Sequence, residues 1–171
     1  MIKKNYLPIS IDISNQKILI IGGGESAYKK LKILQRFDAR VEIIALKISD
    51  KIKETGVKYY EIAYEKELLK GYLMLYSCTN NEELDRQILA DGIEMGVLVN
   101  IHDNPELCQF VSPAIFQNGK ITVAVGSNAE DVYESIRIRN VIGEFLTNKY
   151  FKSCPLIKTS LIYKNIAVSL L

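Results

Sequence analysis

The sequence of 171 residues contains no tryptophan, one histidine (His102), three cysteines and four prolines. A single histidine with widely spaced Cys78, Cys108 and Cys154 gives no C-x-x-C pair and no zinc-ligand spacing, so no resident metal centre is expected. An odd cysteine count without a framework also argues against structural disulfides. Free thiols fit a reducing compartment, and a cytoplasmic protein is expected. No G-x-S-x-G elbow sets a serine against His102, which argues against a hydrolase triad. The opening MIKKNYLPIS lacks the apolar centre of a signal peptide, and no apolar run approaches the roughly eighteen residues of a membrane span. An excess of one charge is missing too. With 22 basic and 20 acidic side chains the net charge is +2, too balanced for a nucleic-acid-binding surface, although a local basic patch for an acidic small molecule stays open.

What is present is ordinary globular composition, 48% hydrophobic and 25% charged, in a chain long enough for one buried core with a small appendage. Its organising stretch is KILIIGGGESA at 17–27. Apolar Ile18 to Ile21 run into three glycines, and a segment of helical period follows from Ser26 to Phe37, with Ala27, Leu31, Leu34 and Phe37 on one face and the lysines mostly off it. Gly22, Gly24 and Ala27 fit G-x-G-x-x-A, in which small residues let backbone N–H groups at a helix N-terminus approach a pyrophosphate. A glycine-rich turn that binds nothing is the alternative at this stage.

Upstream, Leu7, Ile9, Ile11 and Ile13 alternate around Pro8 and read as an extended edge segment laid over the sheet. Downstream, strands are expected at 41–45, 57–63, 72–78 and 97–101. Between them come a short helix at 49–55 capped by Ser49, a helical link at 65–70, and a helix at 82–95 capped by Asn80 or Asn81 and stopped by Gly96. Alternating strands and helices imply a parallel sheet of right-handed crossovers. Its ligand would lie beyond the carboxyl ends of the strands, where the glycine turn, Leu46, Thr79 and Asp103 gather. The acidic ribose reader usual after the second strand is missing: the sequence there is Ala45, Leu46, Lys47. Lys47 is either a solvated loop lysine or a group favouring a phosphate.

After residue 109 the pattern changes. Segments 110–116 and 120–125 flank Gln117, Asn118 and Gly119 as a hairpin, and a long helical segment spans 129–150. A hairpin and one helix are too little for a core of their own, so an arm that buries its apolar faces against a second copy of the chain is expected. The expected division is a dinucleotide domain at 1–109, an arm at 110–150 and a short tail at 151–171. On local sequence Asp103 fits best a turn before Asn104 and Pro105; the alternative is a carboxylate that shuttles the proton accompanying hydride transfer.

Several spaced motifs agree in order: YLPI at 6–9, GGGESA at 22–27, SCTNNEELDRQI at 77–88, VNIHDNPELCQF at 99–110 and SPAI at 112–115. Together they resemble the precorrin-2 dehydrogenase/sirohydrochlorin ferrochelatase family, the NAD-dependent module of siroheme synthesis. The resemblance implies a Rossmann-like α/β fold with a hairpin-plus-helix dimerisation arm, a homodimer, NAD as cofactor, and dehydrogenation of precorrin-2 to sirohydrochlorin, followed in many members by insertion of ferrous ion. It puts Glu25 and Ser26 at the cofactor turn and Leu46 and Lys47 on the adenosine side, with Asp103 as acid/base in N-x-x-D-x-P and Asn100 and Ser127 toward the tetrapyrrole. Two departures stand out. GSNAED at 126–131 replaces the family's G-G-x-S-P turn, and the helical C-terminal region of longer members is expected to be short or missing. The rival expectation is a non-catalytic module that binds a dinucleotide or a tetrapyrrole.

Overall fold

The computed structural model describes residues 4–147. The expected tail at 151–171, Cys154 and the last residues of the expected final helix lie outside them. The chain divides after Val111 into two compact units.

The first unit is a five-stranded parallel sheet in the order β3-β2-β1-β4-β5. Its strands are β1 (Lys17–Ile21), β2 (Arg40–Ala45), β3 (Lys58–Glu61), β4 (Met74–Ser77) and β5 (Leu98–Ile101). β1 is central, pairing with β2 and β4, so neither face of it meets water: Ile18, Leu19 and Ile20 are fully buried. Their alternation sends them to two cores. Ile18 and Ile20 pack with Ile43, Met74 and Tyr76 against Ala27, Leu31 and Leu34 of α1 (Glu25–Gln35). Leu19 and Ile21 pack with Ile44, Leu75 and Val99 against Ile88 of α3 (Glu82–Met95). α2 (Asp50–Lys53) is a single turn, and a 3-10 turn, Lys66–Leu69, precedes β4. At the edge, all four residues of β3 are exposed.

Helix ends follow the local chemistry. Asn81 caps α3 by accepting from Leu84 N (3.1 Å), and Gly96 ends it in the left-handed conformation at φ 69°. Ser49 holds the cap position of α2, as expected, but its hydroxyl makes no hydrogen bond. Its carbonyl takes Ile52 N and Lys53 N while its own N–H goes to Gly23 O (2.9 Å), so the backbone does the capping.

The N-terminal segment departs from expectation. It forms no strand, and Leu7 and Ile9 are exposed; only Ile13 packs on a core. Side chains tie it elsewhere: Lys4 donates to Glu106 O (2.6 Å) and Cys108 O (2.8 Å), and Tyr6 to Pro105 O (3.1 Å), so it follows the loop after β5.

The second unit holds the antiparallel pair β6 (Ala114–Asn118) and β7 (Ile121–Val125), and α4 (Val132–Thr147). The strand at 110–116 starts later than expected because Pro113 has no N–H for a ladder, while Phe110 and Val111 pack on the first unit's cores. Within the second unit Gly143 lets α4 lie against Phe116, whose ring a Cβ there would meet at 2.8 Å. No helix among the described residues is long and apolar enough to cross a membrane.

Candidate functional site

From β1 the parallel sheet extends through β2 to β3 on one side and through β4 to β5 on the other, so the strand order reverses between β1 and β4. That reversal opens a crevice beyond their carboxyl ends. The three glycines after β1 occupy it in different ways. Gly22 holds φ 132°, and a Cβ on it would run into the Cys78 backbone at the end of β4. A Cβ on Gly23 would strike the Lys47 carbonyl oxygen, with the carbonyl carbon at 2.9 Å. These two glycines seat the turn against β4 and against the loop after β2. Gly24 has nothing within 4 Å of its Cβ position, and the helix that starts there has no side-chain cap. The donors at the start of α1 therefore face open space, unlike those of α3.

Gly23 is only a spacer in the motif, yet it makes the tightest approach of the three. Three consecutive glycines where the motif needs two was the available signal.

The neighbouring carboxyl ends are tied to this turn. At the end of β4, Cys78 N donates to Ile21 O (2.7 Å). Thr79 donates to Asp85 Oδ1 (2.8 Å), as does Ser77 (2.5 Å), so the Thr79 hydroxyl is held by a buried carboxylate from α3. Asp85 was missed because an acidic residue in a first helical turn reads as dipole compensation. In the β2–α2 loop Leu46 is 80% exposed, an apolar surface beside the turn, and Lys47 is exposed. Glu25 pairs with Lys51 (3.0 Å), which holds its carboxyl below the usual range, and Ser26 is half-buried in the first turn of α1.

β5 brings the acid. His102 N donates to Ser77 O (2.8 Å), fastening its end to β4. Asp103 follows with an 87% exposed side chain, beside His102 Nε2 at 3.3 Å, and holds the left-handed conformation at φ 57°. Aspartate and asparagine adopt this region more readily than other residues with a Cβ, so the conformation marks a turn at the end of β5. Asn100 is buried, and its amide donates to Phe110 O (2.8 Å) and toward Cys108 Sγ (3.3 Å), which directs it at the chain beyond β5. Ser127 lies in the second unit; its hydroxyl donates to Asp131 O (2.8 Å) and accepts from Asp131 N (3.0 Å), closing the turn before α4. In that turn Asn128 and Ala129 both take positive φ, the conformation that glycines adopt most readily.

Lys30 departs from the expectation that the lysines of α1 lie off its packed face. It is half-buried, with its ammonium 4.5 Å from the Tyr76 ring centre. Burial lowers its pKa, and Cys78, Cys108 and Asp103 act on it in the opposite sense. Burial also pushes the Cys78 thiol up to about 11 and raises that of Cys108, leaving little thiolate at neutral pH. Iodoacetamide at neutral pH should therefore leave both unmodified in the folded chain and alkylate them in denaturant. Peptide mapping reads the result, and rapid labelling of the folded chain would contradict it. No cluster of metal-ligating side chains occurs among the described residues.

Residues 9–114 match the family described as putative NAD(P)-binding. The chain belongs to this family. It is 30% identical over 156 residues to the siroheme synthase of Ruthia magnifica subsp. Calyptogena magnifica, covering 89% of this chain and 33% of that protein. It is 28% identical over 151 residues to that of Nitrosomonas europaea, covering 85% and 32%. The chain thus spans about a third of the length of the curated relatives it matches. In fold it resembles SirC, precorrin-2 dehydrogenase, with a TM-score of 0.69 at 19% identity over 82% of this chain and 70% of that one. These findings bear out the family seen in the spaced motifs and its Rossmann-like α/β fold. The site residues fit the dinucleotide that the family name implies: an open face at Gly24, an uncapped helix start and a Leu46 surface beside them.

Proposed function

We propose that the chain catalyses the NAD-dependent dehydrogenation of precorrin-2 to sirohydrochlorin. The observation carrying this reading is that the carboxyl ends of the sheet hold both an uncapped, glycine-fronted helix N-terminus and, two strands away, Asp103 in an exposed turn. The siroheme synthase relatives and the likeness to SirC supply the substrate class.

Bound NAD supplies the hydride acceptor. The chain's own residues do the rest. The first N–H groups of α1 would hold the pyrophosphate, and Leu46 would line the adenosine side. Thr79, oriented by Asp85, lines the floor between the two halves. As hydride leaves the tetrapyrrole, a proton leaves with it, and the Asp103 carboxylate accepts that proton and passes it to water. The residues Asn100 and Ser127, both held by backbone contacts, act through the segments they fix.

Iron insertion, if the chain performs it, uses the same carboxylate to take the pyrrole protons, with ferrous ion as substrate rather than resident metal. The working unit is read as a homodimer: Val141 and Phe145, four apart on α4, are exposed apolar side chains suited to a second copy. A cytoplasmic setting agrees with the free thiols of Cys78 and Cys108.

The test is anaerobic incubation of the purified chain with precorrin-2 and NAD. NADH should form together with sirohydrochlorin. NAD binding without NADH formation would favour the rival reading, a non-catalytic dinucleotide-binding module.

A further inference from the structure

A carboxylate sits at the cofactor end of the sheet that neither the glycine motif nor the acid/base assignment uses. Glu61 is the last residue of β3, in register with Ala45, the last residue of β2. Its Oε1 accepts the Ile48 N–H (3.0 Å) and meets Lys53 Nζ (3.0 Å). A carboxylate has roughly four acceptor positions, so Glu61 keeps capacity for another donor, on a side chain 41% exposed. The Ile48 N–H, then Lys53, hold its carboxyl below the ordinary value, and Lys47 acts on it in the same direction.

The loop it grips is the one pressed on the glycine turn. Ser49 N donates to Gly23 O (2.9 Å), and the Lys47 carbonyl leaves no room for a Cβ at Gly23. Leu46 to Ser49 are therefore clamped between the turn after β1 on one side and Glu61 on the other. In dinucleotide folds a carboxylate near this point accepts from the ribose 2′-hydroxyl and repels a 2′-phosphate. β2 brings none. Lys47, taken alone, would favour the phosphate.

We infer that Glu61 supplies from β3 the fixed negative charge that β2 lacks, and that it makes the adenosine end of the site select a ribose 2′-hydroxyl over a 2′-phosphate. This rests on the dinucleotide reading of the site. Three charges set the balance there: Lys47 and Lys53 attract a phosphate, and Glu61 offsets them while offering a hydroxyl an acceptor. A doubly charged phosphate near one carboxylate in a partly screened site changes affinity by about tenfold.

The experiment is calorimetric titration of the native chain, Glu61→Gln and Lys53→Gln with NAD and with NADP, with thermal unfolding alongside. The native chain should bind NAD the more tightly. Glu61→Gln retains a side-chain oxygen for Ile48 N, so it should unfold with the native chain while its preference for NAD falls about tenfold. Lys53→Gln leaves the carboxylate and removes a positive charge, so its preference should be equal or greater. A native chain that prefers NADP would overturn the inference, as would a Glu61→Gln preference within twofold of native, including an equal loss for both nucleotides. So would a lowered preference in Lys53→Gln. If the native chain binds neither nucleotide, the dinucleotide reading itself falls, and this inference with it.

Discussion

Gly24→Ala is expected to unfold within about 3 °C of the parent and to bind NAD at least tenfold more weakly, whereas Gly23→Ala is expected to lose both stability and binding. Gly24 sits at φ −96° and ψ −162°, extended backbone that alanine adopts freely, and its Cβ position touches nothing. The stability cost is confined to a weaker helix cap, within about 1 kcal/mol. The added methyl instead occupies the space through which a pyrophosphate reaches the first N–H groups of α1, and tenfold in affinity corresponds to about 1.4 kcal/mol. At Gly23 the added methyl meets the Lys47 backbone, which is fixed by the Ser49 to Gly23 and Ile48 to Glu61 hydrogen bonds. Backbone cannot step aside as a side-chain tip can. The expected penalty is on the order of 3 kcal/mol, roughly 10 °C in Tm. Thermal unfolding and NAD titration of the two variants check this; an unchanged NAD affinity in Gly24→Ala would contradict the assigned approach path.

Asp103→Asn is expected to reduce dehydrogenase turnover by about 100- to 10,000-fold, the range associated with a lost general acid/base. Its NAD affinity and stability should stay near native. The side chain is exposed and makes no packing contribution, and asparagine tolerates φ 57° better than most residues. Asp103→Ala is the poorer probe, since a Cβ without a local acceptor in the left-handed region costs about 1 kcal/mol by itself. Steady-state turnover with saturating NAD separates the two effects. A variant within tenfold of native would remove Asp103 from the proton path.

The sheet and the glycine turn were readable because their signals are local. Four apolar residues before three glycines, then helical spacing, fix β1, the turn and α1, and parallel order follows from strands alternating with helices. Features that depend on pairing were not readable. The N-terminal alternation of Leu7, Ile9 and Ile11 looks like a strand, but no strand edge takes it, and Lys4 and Tyr6 draw the segment to the loop after β5. Glu61 is far in sequence from Ile48, and only the β2 and β3 register puts them together. The partnership of Asp85 with Ser77 and Thr79 likewise requires α3 to dock on the end of β4. Lys30 fell on the wrong side of a periodicity argument because a lysine stem can lie over an aromatic ring and still count as polar.

The central claim is that the glycine turn and Asp103 are two halves of one active site. A single-turnover reaction tests it most directly: the native chain and Asp103→Asn, each saturated with NAD, are mixed with precorrin-2 and followed for NADH. One NADH per sirohydrochlorin is expected from the native chain and, from the variant at equal NAD occupancy, a rate at least about 100-fold lower. Equal rates from the two proteins, or no NADH from the NAD-loaded native chain, would contradict it.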